Sequence, residues 1–140
     1  MTIKRKYLLT GLAAAFASTA AVAGMVQPAP VDVDLTMSFA GGDMLSARYA
    51  PNKNEFIGCG VRKFDDGVGG ANAFGFCQAE DAEGERAFCN TSNEDLLDAI
   101  EASADYGYVT FSWDEKTQEC TRIGFSNQSF YVPPKVGSNL

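Results

Sequence analysis

Histidine is absent from the 140-residue sequence, and several chemistries are excluded with it. A Ser-His-Asp triad, a Cys-His dyad and the His-based zinc and copper sites all require this residue. The sequence also has no P-loop, no dinucleotide-binding fingerprint, no G-x-S-x-G elbow and no Cys-x-x-Cys pair. We therefore predict no metal and no cofactor, and the sequence leans away from an enzyme.

Basic residues are scarce as well. The chain has 11 Lys and Arg against 18 Asp and Glu, which gives a formal net charge of −7. Such a field repels nucleic acid and anionic lipid, so we expect neither as a partner. The simplest explanation for the acidic surface is solubility outside the cell.

The first 23 residues predict an export signal. Three basic residues open it, residues 7–20 are apolar and Ala-rich, and Ala21-Val22-Ala23 is a small-x-small cleavage site. We expect a secreted or periplasmic protein, and the Ala-rich leader favours a bacterial one. The later sequence contains no apolar run long enough to cross a bilayer, so we expect no membrane insertion after cleavage.

Four cysteines follow the leader: Cys59, Cys77, Cys89 and Cys120. In an oxidising compartment we expect them to form two disulfides. Symmetry about the 80–84 turn favours Cys77 with Cys89, which leaves Cys59 for Cys120. Symmetry about the glycine-rich loop at 65–72 instead favours Cys59 with Cys77, so the pairing stays open.

Alternation of apolar and polar residues predicts a mostly β domain over residues 24–132, followed by a loose tail at 133–140. The first strand is expected at Val31–Phe39, with Leu35 and Met37 on its buried side. A turn at Gly41-Gly42-Asp43 and a second strand at 44–50 follow. Further strands are predicted at 55–64, 73–79, 85–90, 106–113 and 120–126.

One short helix is predicted near 92–104. Residues 91–94 (TSNE) match the capping box with Thr91 as N-cap, and the apolar stripe comprises Leu96, Leu97, Ile100 and Ala104. The fold class is therefore α+β: a mainly antiparallel sheet of hairpins and a meander, or a small sandwich, with this helix on one face.

The candidate binding residues are Tyr106, Tyr108 and Tyr131. If Val109 and its alternating neighbours face the core, Tyr106 and Tyr108 face the other way. Two tyrosines on one sheet surface could stack on a sugar or contact a protein. The alternative is that the helix or the segment around Tyr131 covers them.

Paired carboxylates offer a third chemistry, because two acids can run glycoside hydrolysis. The pairs Asp65-Asp66, Glu94-Asp95 and Asp114-Glu115 all fall in predicted loops or at a helix start. Solvated acids are ordinary in such places, so no catalytic residue is assigned from them.

Several segments carry a family resemblance: Phe76-Cys77-Gln78-Ala79, Phe88-Cys89, residues 108–114, residues 119–121 and residues 127–131. Together they resemble small exported bacterial proteins of unassigned function, over residues 56–132. The resemblance implies export and a disulfide-linked, β-rich domain, and it transfers no functional residue.

Three hypotheses follow. The first is an exported interaction module, such as an accessory protein or an inhibitor of another exported protein. The second is a carbohydrate-binding module that uses the same tyrosines. The third is a small carboxylate-dependent hydrolase.

Overall fold

The computed structural model describes residues 24–133, so the predicted leader at 1–23 and residues 134–140 of the predicted tail lie outside the described part. The described chain is an α+β domain of mainly antiparallel strands, as predicted. In chain order its elements are β1 (Asp32–Asp34), β2 (Phe39–Asp43), α1 (Met44–Tyr49), β3 (Phe56–Asp65), β4 (Ala71–Glu80), β5 (Arg86–Thr91), α2 (Glu94–Glu101), β6 (Tyr108–Trp113) and β7 (Cys120–Ser126).

The strands form two sheets, with the orders β1-β2-β6-β7 and β3-β4-β5, and all strand pairs within them are antiparallel. Buried side chains of both sheets meet in one hydrophobic core. Val109, Phe111 and Trp113 supply its aromatic and aliphatic centre from β6, on the face that the alternation predicts. The sandwich-like arrangement leaves the outer face of each sheet to be covered by other elements or by solvent.

The predicted strand at Val31–Phe39 is wrong, because the chain reverses inside it. The side chain of Asp34 accepts hydrogen bonds from the backbone N–H groups of Thr36 (2.9 Å) and Met37 (3.0 Å), which closes a turn. β1 and β2 therefore pair as a hairpin. Met37, expected in the core, is 74% exposed, and Leu35 is exposed too.

The predicted turn at Gly41-Gly42-Asp43 is also wrong, since these residues lie within β2: all three pair with β6, and Gly41 pairs with β1 as well. Their role is close packing. A Cβ atom at Gly42 would lie 2.9 Å from the Cα atom of Val31, and one at Gly41 would collide with the hydroxyl group of Tyr108. Glycine is needed here because neighbouring segments of the chain pack closely against β2, not because the backbone changes direction.

The predicted strand at 44–50 is instead the helix α1. Asp43 acts as its N-cap: its carboxylate accepts hydrogen bonds from the N–H groups of Leu45 and Ser46, both at 2.9 Å. Such a cap satisfies donors that the first helical turn leaves unpaired. The local hydrogen bonding outweighs the alternating pattern of a six-residue segment.

The predictions for the second half of the chain hold more closely. β3, β4, β5 and β7 occupy the expected segments, with ends shifted by at most two residues. The helix α2 forms near the expected place, but its N-cap is Asn93, which accepts from the Leu96 N–H group, and not Thr91. Leu97 and Ile100 of α2 are buried, and they pack over Gly75 on the inner face of β4.

The two disulfides join Cys59 to Cys77 and Cys89 to Cys120. The favoured pairing of Cys77 with Cys89 is therefore wrong, and the alternative from the glycine-rich loop holds. Cys77 lies opposite Cys59 on one side and opposite Cys89 on the other. The Cα atoms of Cys59 and Cys77 are 4.0 Å apart, the short spacing of a non-hydrogen-bonded pair. The backbone groups of Cys77 therefore point toward β5, which makes Cys77 and Cys89 a hydrogen-bonded pair with the wider Cα spacing. Cys89 forms its disulfide with Cys120 of β7 instead.

Candidate functional site

The predicted tyrosines do not form one open surface. Tyr131 is buried, with 6% of its surface exposed, and its ring stacks on that of Tyr108 at a centroid distance of 6.0 Å. Burial raises the pKa of the Tyr131 phenol, and the nearby charge of Asp43 raises it further. Tyr106, at 43% exposure, is the accessible member of the three. Coverage of Tyr108 by the segment around Tyr131 matches the alternative weighed from the sequence.

A different aromatic surface lies on the outer face of the β3-β4-β5 sheet. Five phenylalanines from three strands point to this side, and we call it the phenylalanine face: Phe56, Phe64, Phe74, Phe76 and Phe88. Four of them are 39% to 54% exposed, and Phe76 is half-buried. Contiguous exposed apolar surface of this kind marks interaction sites in soluble proteins.

Three of the five rings are in contact, across β3 and β4 and along β4. Phe64 and Phe74 stack with centroids 5.9 Å apart, and Phe74 and Phe76 follow at 6.3 Å. The guanidinium carbon of Arg62 lies 5.0 Å from the centroid of the Phe76 ring. The result is a row of aromatic rings that ends in a cation held against its last member.

Polar groups lie beside the rings on the same face. Gln78 is directly opposite Phe88, and Asn90 is directly opposite Phe76. At one end of the face, Arg86 donates from Nε to the buried carboxylate of Glu80 at 2.7 Å. The face therefore combines apolar area with a few amide and guanidinium groups that can orient a ligand.

The strand topology explains why the phenylalanines are left outside. Alternate residues of β4 and β5 enter the core, where small side chains and disulfides fill the space between the sheets. Alternation along a strand at 73–79 places Phe74 and Phe76 on one side and Gly75 and Cys77 on the other. It did not show which side is buried, because both sides are apolar. Glycine at 75, which lets α2 approach, is the signal that marks the inner side.

Two of the three predicted acidic pairs cap turns, and the third, Glu94-Asp95, lies in the first turn of α2. The side chain of Asp66 accepts from the N–H groups of Val68 and Gly70, and that of Asp114 from Lys116 and Thr117. These bonds lower the pKa of both carboxyl groups, with the N–H of Val68 and that of Thr117 as the largest causes. A catalytic general acid needs the opposite shift, so these groups give no support to the hydrolase hypothesis.

Three sulfur atoms cluster in the core. Those of Cys77, Cys89 and Cys120 lie within 4.8 Å of one another, so the two disulfides pack together. Metal ligation by cysteine requires thiolates, and here all the sulfurs are bonded in pairs. The cluster therefore fastens β4, β5 and β7 together.

A groove of about 610 Å³ lies between the start of α2 and β7, away from the phenylalanine face. Its lining includes Asn93, Asp95 and Glu119. The Asn93 side chain is engaged as the cap of α2, and the groove carries no aromatic ring. It is a weaker candidate than the phenylalanine face.

Comparison of the chain with protein-family models, with curated proteins and with solved structures finds no match. Among residues 24–133, no helix is long and apolar enough to cross a membrane. The two disulfides indicate an oxidising compartment. The candidate site therefore rests on the geometry of this chain alone.

Proposed function

We propose that this protein is an exported interaction module that binds another exported protein through the phenylalanine face. The observation that supports this most is five phenylalanines on one outer sheet face, four of them 39% to 54% exposed and three of them in ring contact. Aromatic residues and arginine are enriched at the centres of protein interfaces, and a flat sheet suits a flat partner surface.

Export is the second part of the proposal. The two disulfides fit an oxidising compartment, and the leader-like sequence at 1–23 specifies secretion or the periplasm within it. We include bacterial origin and kinship with small exported bacterial proteins, on the strength of the motifs in residues 56–132. An accessory protein or an inhibitor of another exported protein fits this description.

A carbohydrate-binding module is the second candidate. Gln78 and Asn90 each lie opposite a phenylalanine, so a sugar ring could stack on Phe88 or Phe76 while an amide hydrogen-bonds its hydroxyl groups. The protein partner is favoured because the face carries five phenylalanines against three amides, Asn72, Gln78 and Asn90, and the Asn90 amide already donates to the Gln118 carbonyl at 3.3 Å. A site that binds a sugar through its many hydroxyl groups needs more polar side chains than these.

The test is a capture experiment with the purified, oxidised protein immobilised and exposed to envelope and culture-fluid fractions of the source cell. A saturable protein partner should be retained by the wild type and lost in Phe74→Ala and Phe88→Ala. Tyr49→Ala removes an aromatic ring that is 78% exposed on α1, away from the face, and should bind normally. Retention of glycan alone would favour the second candidate.

The predicted tyrosine site is tested in the same experiment. Tyr106→Ala should leave binding unchanged if the phenylalanine face is the contact surface, because Tyr106 precedes β6 in the other sheet. Loss of binding in Tyr106→Ala with normal binding in Phe88→Ala would overturn the assignment and restore the tyrosines as the site.

A further inference from the structure

β3 is an edge strand, and the direction of its backbone groups can be worked out from its neighbours. The Asn90 N–H group donates away from β4, to the Gln118 carbonyl at 3.0 Å, so Phe76 and Asn90 are a non-hydrogen-bonded pair. Alternation then makes Cys59 and Cys77 non-hydrogen-bonded as well, in agreement with their 4.0 Å Cα separation. The odd-numbered residues of β3 therefore point their N–H and C=O groups away from β4.

These outward groups are available for pairing. Within the described part of the chain, no backbone partner outside the β3–β4 ladder is found for residues 57–65. The Val61 carbonyl accepts only from the guanidinium of Arg62, at 3.2 Å. Residues 58–61 are half-buried and residues 62–65 are exposed, so from residue 58 onward this edge faces solvent. The one lysine of β3, Lys63, forms an ion pair with Glu101 of α2 at 2.7 Å. Its charge is therefore not free to oppose pairing at the strand edge.

We propose that β3 pairs antiparallel with β3 of a second copy of this chain, with the two Val61 residues opposite each other. The two edge strands can form hydrogen bonds only where outward-pointing N–H and C=O groups of both copies face each other. Odd-numbered residues of one copy must therefore lie opposite odd-numbered residues of the other. In the register centred on Val61, Gly58 of one copy lies opposite Phe64 of the other, and Gly60 lies opposite Arg62.

Side-chain size favours this register. Opposite residues share one face of a sheet, so Gly58 and Phe64 would both lie on the phenylalanine face. A Cβ atom at Gly58 meets no atom within 4 Å, which leaves open space above it. Phe64, 54% exposed, would fill that space with its ring. Registers centred on Cys59 or Lys63 do not oppose both glycines with large side chains of β3. The register centred on Gly60 places Gly60 opposite itself, and the one centred on Arg62 places the two Arg62 charges opposite each other.

Charge favours the same register. The register centred on Val61 places Asp65 of one copy opposite Ile57 of the other. Ile57 lies next to a groove of about 380 Å³ between α1 and the start of β3. Arg48 and Lys53 line this groove, and neither makes an ion pair with the described residues. Its one acidic lining residue, Glu55, has both carboxylate oxygens occupied, since they accept from the Val31 N–H and the Asn52 amide. The acidic tip at Asp65 and Asp66 would thus meet a basic groove in the otherwise acidic chain.

The consequence is a six-stranded sheet that runs through both molecules. The two phenylalanine faces become one continuous surface on the same side of it, twice the size of either. Dimerisation does not depend on the proposed partner binding, and either can fail alone.

The test is the association state of the purified, oxidised protein, measured by sedimentation equilibrium over a range of concentrations. We expect a monomer–dimer equilibrium. Val61→Pro removes an outward N–H group but none from the ladder with β4, so it should give a folded monomer. Gly58→Val fills the space for Phe64 and should raise the dimer Kd about tenfold or more.

A compensating change and a matched control complete the design. Phe64→Ala in the Gly58→Val background makes room again and should recover dimer relative to Gly58→Val alone. Phe88→Ala removes a ring on the same face but on β5, which β4 separates from the β3 edge, and should leave the dimer Kd unchanged while it abolishes partner capture. A wild type that stays monomeric at all concentrations, or a Gly58→Val variant that dimerises like the wild type, would overturn the proposal.

Discussion

Asp43 and Ala29 are joined by two hydrogen bonds, although they are 14 residues apart in sequence. The Asp43 N–H group donates to the Ala29 carbonyl at 2.8 Å, and the Ala29 N–H group donates to the second carboxylate oxygen of Asp43, also at 2.8 Å. One buried carboxylate thereby fixes the lead-in segment and starts α1.

Replacement of Asp43 should therefore destabilise the protein in a graded way. Asp43→Ala leaves three backbone N–H groups without their acceptor and should cost roughly 2–4 kcal/mol of unfolding free energy. Asp43→Asn keeps one acceptor oxygen for the helix cap and should cost less. Urea unfolding of the two variants measures this, and equal losses would show that the cap oxygen contributes little.

Gly42 should be intolerant of any side chain. Its Cβ atom would meet the backbone of Val31 at 2.9 Å, and backbone cannot move aside as a flexible side chain can. We expect Gly42→Ala to lower the unfolding free energy by about 1–3 kcal/mol. Gly58→Ala, where the Cβ enters open space on an exposed strand face, is the matched control and should have the stability of the wild type.

The two disulfides should differ in their contribution to stability. Cys59–Cys77 spans 18 residues within one sheet, whereas Cys89–Cys120 spans 31 and joins the two sheets. Loop-closure entropy predicts losses of about 3 and about 4 kcal/mol for the paired Cys→Ala variants. Denaturant unfolding of each double variant tests the order. A greater loss from the shorter loop would indicate that native-state packing, not chain entropy, dominates.

Acid should destabilise the protein through three turn-capping carboxylates, those of Asp34, Asp66 and Asp114. Hydrogen bonds to the Thr36 hydroxyl, the Val68 N–H and the Thr117 N–H are the main causes that hold their pKa below the ordinary 3.8. Because the folded pKa is the lower one, their contribution is complete above the unfolded pKa, near pH 4, and is lost as the pH falls through the folded value.

The triple Asp→Asn variant at these positions tests the pH effect. Asparagine keeps an acceptor for the turns but does not titrate, so unfolding free energy should fall less between pH 5 and 2 than in the wild type. The comparison needs urea unfolding at several pH values. Identical slopes for the two proteins would contradict the assignment of the acid sensitivity to these groups.

The sequence predicted the fold class well because the strand pattern from residue 55 onward is long and regular. β7 begins and ends where the alternation indicated, and the buried side of β6 is the expected one. In the first part, the alternation of residues 31–39 was real but misleading. The side-chain hydrogen bonds of Asp34 and Asp43 create a turn and a helix there, and such local capping overrides an apolar period of only a few residues.

The candidate site could not be found from the same patterns. Tyrosines at alternate positions suggested an exposed pair, but Tyr131 returns from 23 residues further along and stacks on Tyr108. The phenylalanines of β4 were visible as one side of a strand. That this side is the outer one depends on which sheet packs behind it, and on α2 lying over Gly75, and neither contact is local in sequence.

The positions of the two disulfides also divide the chain at the turn between β4 and β5. Neither bond crosses Glu83: one closes within the residues before it and the other within those after it. A protease that cuts this exposed turn would release two separately cross-linked fragments, yet each fragment contributes strands to both sheets. The two fragments would be held together by strand pairing and the shared core alone. The nicked protein would therefore elute as one species in size-exclusion chromatography, but its fragments would separate in denaturant without a reductant. A cut in the loop at 66–70, by contrast, would stay invisible until the Cys59–Cys77 bond was reduced.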